Sequence, residues 1–367
     1  AVWPGVAYQA RQLGLVFNAA LGVIMSLFLS LGAGTILSGV GVADALMQPA
    51  KTYLQIVGGF CILNALIPIC SSYLRAFGFS KEPLYASIIG NVINFCLNAF
   101  FLFVLHKGVA GVATATVISR IINLVIVVLL GAVLVKAKQH PERESNRAVM
   151  GQIIRIGLPS ACETAIYNVS MTLVIRFLNQ MDAQGLNVTA RSYTMQITNF
   201  SYCVGAALAQ ANAIMTGWHI GAKEYDACDR GTKKAAVIGV IVAVILETVF
   251  TLCSGWIMQL FSKDPQMVSL VGKLLAIDIV LEIGRVTNLV YGQALKTSGD
   301  AVFPVVMGAC FMILCSVGGT YLFGIRLGLL AVGAYIGMTG DECVRAVGMY
   351  LRWKSGKWKE KGLVKSR

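Results

Sequence analysis

About ten apolar runs, each close to or beyond 20 residues, follow one another along most of this 367-residue chain. A helix needs roughly 20 apolar residues to cross a bilayer, and inside hydrocarbon every backbone polar group must be satisfied within the segment. The runs fall approximately at 10–37, 48–75, 83–105, 108–136, 149–179, 187–217, 231–261, 267–297, 302–324 and 328–353. Helix breakers separate them at Gly39-Val40-Gly41, Lys81-Glu82-Pro83, Lys107-Gly108, Lys263-Asp264-Pro265 and Gly299-Asp300. The pattern predicts an all-α polytopic membrane protein. It does not show the alternating ten-residue segments of a porin-type barrel. Charged residues make up 13% of the chain, against about 25% in a soluble domain, which argues against an ordinary cytosolic enzyme.

The net charge of +13 is not spread evenly. Alternate loops and the tail collect 20 Lys and Arg, the intervening loops hold only Lys51, Lys107, Lys263 and Arg326, and 6 lie within the spans. Basic loops stay on the cytoplasmic side. Both ends of the chain and the 137–148 loop are therefore expected in the cytoplasm, with the spans in the plasma membrane. This is a topology signal, so no nucleic-acid partner is expected. The basic tail either touches anionic lipid or is simply solvated. Ten cysteines form no C-x-x-C pair, and Cys61, Cys96 and Cys253 read as small buried hydrophobes. His106, His140 and His219 have no ligand cluster near them. No metal, no cofactor and no catalytic constellation is expected, and no nucleotide-binding loop appears.

An internal repeat organises the spans. Leu74-Arg75-Ala76-Phe77-Gly78 with Pro83 matches Leu295-Lys296-Thr297-Ser298-Gly299 with Pro304 at an offset of 221 residues. Further on, Gly108-Val-Ala-Gly111-Val-Ala matches Gly328-Leu-Leu-Ala-Val-Gly333 at 220, which reads as one deleted loop residue. Both copies start on the same side, a layout of transporters with two similar halves. Spans 1–4 then match spans 7–10, and two more helices before Ala1 are expected, twelve in all. The expected lobes are 1–136 (four helices) and 149–353 (six helices), joined by 137–148 and followed by the basic tail 354–367.

Six motifs carry a family resemblance in their order and spacing. They are Arg75-x-x-Gly78 with Pro83; Gly108 to Thr116 with Ser119-Arg120; Gly157-Leu-Pro159 with Glu163; Gly217 to Lys223; Gly299-Asp300 with Pro304; and Asp341-Glu342 with Arg345. Through them nearly the whole chain resembles the multidrug and toxic compound extrusion (MATE) family. The resemblance implies a monomeric two-lobed exporter around a central cavity, which exchanges small organic solutes, often cationic or amphiphilic, for H⁺ or Na⁺. It also places a functional glutamate near Glu163, and an acidic residue of the sodium-coupled branch near Arg285. Lipid-linked sugar flippases share the overall fold and form the alternative reading.

Polar groups inside the spans are the candidate site, because charge in hydrocarbon is costly and usually faces a cavity or a partner. Asp278, Glu282 and Arg285 fall within roughly 60° of one helical face. Glu282 and Arg285 can pair, either statically or as a cation exchanger. With Glu163 they are the candidate cation-coupling residues. Tyr167 and Asn168 follow Glu163 by about one turn, and Asn288 follows Arg285. Together with Gln196 and Asn199 of span 6, and Asn94 and Asn98 of span 3, they are candidates to line the solute cavity. The asparagines of span 3 read equally as polar glue between helices. Asp341, Glu342 and Arg345 read as structural ion pairs.

Overall fold

The computed structural model describes residues 4–40, 44–135, 145–181 and 185–360. Most of the 137–148 loop and the last part of the tail lie outside these residues. All regular structure among them is helical. The first compact unit, Val2–Ile153, contains α1 Pro4–Leu31, α2 Ala33–Val40, α3 Asp44–Tyr53, α4 Ile62–Ala76, α5 Lys81–Ala99 and α6 Gly108–Leu134. A π-helical turn, Leu54–Gly58, precedes α4, and another, Phe100–Val104, extends α5. The second unit begins at Ile154, within α7 Asn146–Met181. It continues with α8 Leu186–Gly221, α9 Tyr225–Leu252, α10 Ser254–Met258, α11 Pro265–Thr297, α12 Val302–Phe311 and α13 Leu330–Lys354.

Each sequence run has a helical counterpart, but they are not chemically alike. Five helices are long and apolar enough to cross a membrane: Gly5–Leu31, Lys81–Val104, Gly108–Leu134, Tyr225–Leu252 and Val302–Arg326. A sixth span is the pair Met47–Gly58 and Ile62–Ala76, bent by 40°. The helices α7, α8, α11 and α13 are of spanning length but carry most of the polar residues described below. In the first unit, α5 and the π-helical turn after it bear apolar surface that water would not tolerate, with Phe95 75% and Phe103 76% exposed. Cys96 and Cys253 also face outward rather than inward. In a bilayer both faces of a helix can be apolar, so apolarity alone does not separate inside from outside.

Helix α11 is the axis of the second unit. Asp264 caps it, accepting a hydrogen bond from the Gln266 N–H at 3.0 Å, with Pro265 in the first turn. Its first half packs in a core with Val174, Leu178, Ile197, Met258 and Tyr335. Its last half, through Val286, Val290 and Tyr291, packs in a second core with Met349, Trp353 and Trp358. Small residues let the helices approach closely. A Cβ on Gly284 would sit 2.8 Å from the Cys343 nitrogen of α13. Between these two apolar cores, α11 and α13 carry a layer of buried charge.

The repeat is visible in the backbone. Gly78 and Gly299 both stand at left-handed φ, +88° and +92°, and both close their helix by donating to the carbonyl three residues back, Arg75 and Lys296. After the next helix the matching offset is 222, not 220. His106 (φ +48°) pairs with Gly328 (+68°), and Gly108 (+54°) pairs with Leu330 (+52°). Lys107 N–H donates to Phe101, and Leu329 N–H to Phe323, in the same wide turn. The second copy therefore has one extra residue where the sequence suggested one fewer. Glycine does not mark equivalent positions in the two copies, because each copy puts glycine at a different one of the two left-handed positions.

Candidate functional site

A cavity of 510 Å³ opens within the second unit. Helix α7 contributes Ser160, Glu163, Thr164, Tyr167 and Asn168, and α8 contributes Tyr202. Arg285, Asn288, Leu289, Gly292, Gln293 and Lys296 come from α11, and Glu342, Arg345 and Met349 from α13. Pro304 and Met312 complete the lining. Helix α7 runs without interruption through Pro159 and so carries Glu163 and Tyr167 on one continuous scaffold.

The charges on the wall are paired. Glu163 meets Lys296 Nζ at 2.6 Å. Arg285 pairs with Glu282 one turn before it, as its spacing suggested, and reaches Glu342 at 3.5 Å. Arg345 binds Asp341 at 2.8 Å and Glu342 at 3.0 Å. Asn288 donates to Glu342 at 3.0 Å, and Ser316 donates to Asp341 at 2.9 Å. This continuous network ties α11 to α13. Aromatic groups stand beside it, with the Arg285 guanidinium 6.0 Å from the Tyr202 ring centre. A cation placed over an aromatic ring face is attracted to it.

Behind the wall lie groups that the cavity does not reach directly. Asp278 is 2% exposed and Glu282 is fully buried. Glu247 on α9 is also fully buried and lies close enough to Asp278, Glu282 and Arg285 to feel their charge. Counting both layers, six carboxyl groups (Glu163, Glu247, Asp278, Glu282, Asp341, Glu342) share three cations (Arg285, Lys296, Arg345). A buried charge without a partner is strongly disfavoured and neutralises instead.

Of the residues singled out from sequence, the cavity brings together Glu163, Tyr167, Asn168, Arg285 and Asn288. Asp278 and Glu282 stand just behind them. Gln196 and Asn199 lie on an exposed face of α8 and are not among the lining residues. Asn94 and Asn98 belong to the first unit, where Asn98 donates to Asn94 at 3.0 Å and Asn94 to Ser119 at 3.3 Å. Sequence reasoning passed over Lys296, which it counted only as a basic loop residue. It read Glu342 and Arg345 as ion pairs alone, whereas they pair and also line the cavity. It missed Glu247 altogether, although a single acid in the apolar run Ala235–Leu252 was a visible signal.

The MatE family profile matches residues 4–100 and 159–322. The uncharacterized transporter YisQ of Bacillus subtilis is 32% identical over 98% of this chain and 80% of that protein. The probable multidrug resistance protein NorM of Thermotoga maritima is 22% identical, over 92% of this chain and 76% of its own length. The crystal structure of a eukaryotic MATE transporter superposes with a TM-score of 0.86 at 18% identity, covering 98% of this chain and 82% of that one. MATE in the straight conformation gives 0.84 at 18% identity, over 98% and 84%. These superpositions show a shared fold. With most of its length matched by the profile and by a transporter of 32% identity, the chain belongs to the MatE family and is a multi-pass membrane transporter, not an enzyme.

Proposed function

We propose that this chain is a secondary-active exporter that exchanges small organic solutes, cationic or amphiphilic, for H⁺ or Na⁺ by alternating access. The observation that carries the proposal is the surplus of buried carboxyl groups on and behind a cavity walled by Tyr167, Tyr202 and Asn288. Glu163, Asp278, Glu282 and Arg285 are the coupling residues. Tyr167, Asn168 and Asn288 meet the solute. No role in this cavity is assigned to Gln196, Asn199, Asn94 or Asn98. The chain sits in the plasma membrane with its basic loops and both ends in the cytoplasm, a reading supported by the loop asymmetry. The lobes fall at 1–136 and 149–353.

The coupling logic is electrostatic. An entering cation that neutralises Glu163 frees Lys296 from its ion pair. One that neutralises Glu282 leaves Arg285 to Glu342. Each event makes the wall more positive and expels a cationic solute. A ligand can shift the balance between two states only by binding them unequally, and these ion pairs are what the coupling ion rearranges. Efflux of ethidium from vesicles energised in turn by a proton and a sodium gradient tests the reading. Glu163→Gln and Glu282→Gln should each abolish gradient-driven efflux, and unchanged efflux in both would refute the coupling assignment. A lipid-linked oligosaccharide flippase is the second reading. It draws on the lining itself, where Arg285, Lys296 and Arg345 outnumber Glu163 and Glu342. Translocation of a diphosphate-linked lipid, with no ethidium efflux, would favour it.

A further inference from the structure

The exchanger reading leaves a smaller cavity without a role. It has a volume of 130 Å³ and lies where α9 begins and α13 ends. After α13 the chain reverses at Gly356, which stands at φ +70°, and enters a short 3₁₀ turn, Lys357–Glu360. The reversal lays Trp358 on Trp353, with ring centres 4.2 Å apart and planes 9° from parallel. The Trp358 indole donates to the Trp353 carbonyl at 3.0 Å, and the Trp353 indole donates to Asp229 of α9 at 2.8 Å. Both rings are buried, so they form a fixed wall that joins α9, α13 and the turn. Against this wall the cavity is lined by Lys233 of α9, Lys354 of α13 and Lys359 of the turn. Among the described residues, none of the three lysines pairs with a carboxylate. Asp229 is the one acid among the lining residues, and its Oδ1 is engaged by the Trp353 indole.

We propose that this cavity is a phosphate-binding site and that the phosphate it takes is the headgroup phosphate of an anionic phospholipid. Three ammonium groups, delivered by three separate segments, outweigh the single carboxylate. A cleft lined by one sign of charge concentrates the opposite sign, and lysine binds phosphate as a compact point charge. The cavity is smaller than the roughly 300–1,000 Å³ of a site for a whole organic ligand, so it takes a headgroup and not a nucleotide. The surface beside it points to a lipid. Lys233, Val237 and Ile241 follow one another at i, i+4 and i+8 along α9, and Lys354, Leu351 and Val347 at i, i−3 and i−7 along α13. Residues at that spacing share a helical face, and all four apolar side chains are exposed. Each lysine therefore heads an exposed apolar stripe, along which acyl chains can run while the phosphate sits at the lysines. A phosphate held there adds a tie between α9 and α13 to the hydrogen bond of Trp353 with Asp229.

Thermal unfolding of the purified full chain in detergent tests this without knowledge of the solute. Dioctanoyl phosphatidylglycerol should raise the midpoint saturably, because a ligand of the folded state alone stabilises it. Lys233→Gln, Lys354→Gln and Lys359→Gln combined should weaken the apparent affinity by about tenfold or more. Lys223→Gln, Lys234→Gln and Lys357→Gln combined remove the same charge from exposed lysines that do not line the cavity, and should leave the affinity nearly unchanged. No rise in the midpoint overturns the proposal. Equal losses in the two triple variants overturn the cavity in favour of diffuse surface charge. Inorganic phosphate at the same concentration is the second arm. A negligible shift supports the phospholipid, and a shift as large as the lipid's overturns the phospholipid as the source. Should the first triple variant fail to elute as folded protein, Lys233→Gln alone decides, weaker binding supporting and unchanged binding refuting. None of these readouts involves efflux, so the site stands or falls apart from the exchanger reading.

Discussion

In the first unit, Asn94 on α5 donates to Ser119 on α6 at 3.3 Å. In the second unit, the residues 222 positions later are Ser316 and Asp341, and Ser316 donates to Asp341 at 2.9 Å. The contact between helices is the same and its charge is not. The pattern extends. Asn123 stands where the second unit has Arg345. At the 221 offset, Ser26, Val57, Cys61 and Asn64 stand where the second unit has Glu247, Asp278, Glu282 and Arg285. Ser26 accepts a hydrogen bond from the Ile62 N–H at 3.2 Å, on the same pair of helices that brings Glu247 near Glu282. One helical scaffold thus exists in a neutral and in a charged version. Folding does not need the charges, since the first unit packs without them. A buried ion pair is weak evidence for stability, and here the comparison points to function instead.

The strongest way to break this contrast is to remove the charge that holds the second unit's layer together. Arg345→Met would leave Asp341 and Glu342 buried without their shared cation. Breaking a buried pair from one side costs about 3–5 kcal/mol. Asn123→Ala at the matching position removes a side chain whose amide oxygen is buried and unpartnered. It should cost about 1 kcal/mol or less. Thermal unfolding in detergent, read for each variant, measures the difference. Equal losses would mean that the two layers do the same structural job.

A second pair of variants tests the backbone that the copies share. Gly111 faces Phe101 in the first unit and Gly333 faces Phe323 in the second, both pairs 222 residues apart. A methyl group on Gly111 would sit 2.7 Å from the Phe101 Cβ. On Gly333 it would press on Phe323 main-chain atoms and the Gly324 nitrogen, which cannot rotate away. Overpacking of this kind costs typically 1–3 kcal/mol. Gly333→Ala should fall near the top of that range, about 3 kcal/mol, and Gly111→Ala near about 2 kcal/mol. The same unfolding measurement ranks them, and a reversed order would show that the two close approaches are not equivalent.

The helices, the existence of the repeat and five lining residues of the cavity (Glu163, Tyr167, Asn168, Arg285 and Asn288) were legible in the sequence because each rests on local signals. Apolar length marks a span wherever it lies. Glu282 and Arg285 share a helical face by spacing alone, and they do pair. What the sequence hid depends on contacts between distant segments. Lys296 looks like a loop cation until α7 places Glu163 2.6 Å away. Glu342 reads as a partner of Arg345 until α11 brings Arg285 and Asn288 to it. Gln196 and Asn199 carry the right chemistry on a face that does not line the cavity. A helix with polar residues on several faces does not say which of them faces the solute.

The gentlest test concerns the turn where the two copies exchange their glycines. Each turn needs two residues at left-handed φ, and each copy supplies only one glycine. The first has His106 at φ +48° before Gly108, and the second has Gly328 before Leu330 at +52°. A side chain in that region costs roughly 1–2 kcal/mol, and histidine tolerates it better than leucine does. Glycine there relieves the strain but loosens the unfolded chain, which returns about 0.5–1 kcal/mol. Leu330→Gly should therefore stabilise by about 0.5–1 kcal/mol, and His106→Gly by roughly half of that or nothing. Both turns would then carry two glycines and the copies would become alike. A destabilised Leu330→Gly would mean that the leucine side chain, 40% exposed, contributes contacts worth more than the strain of its backbone.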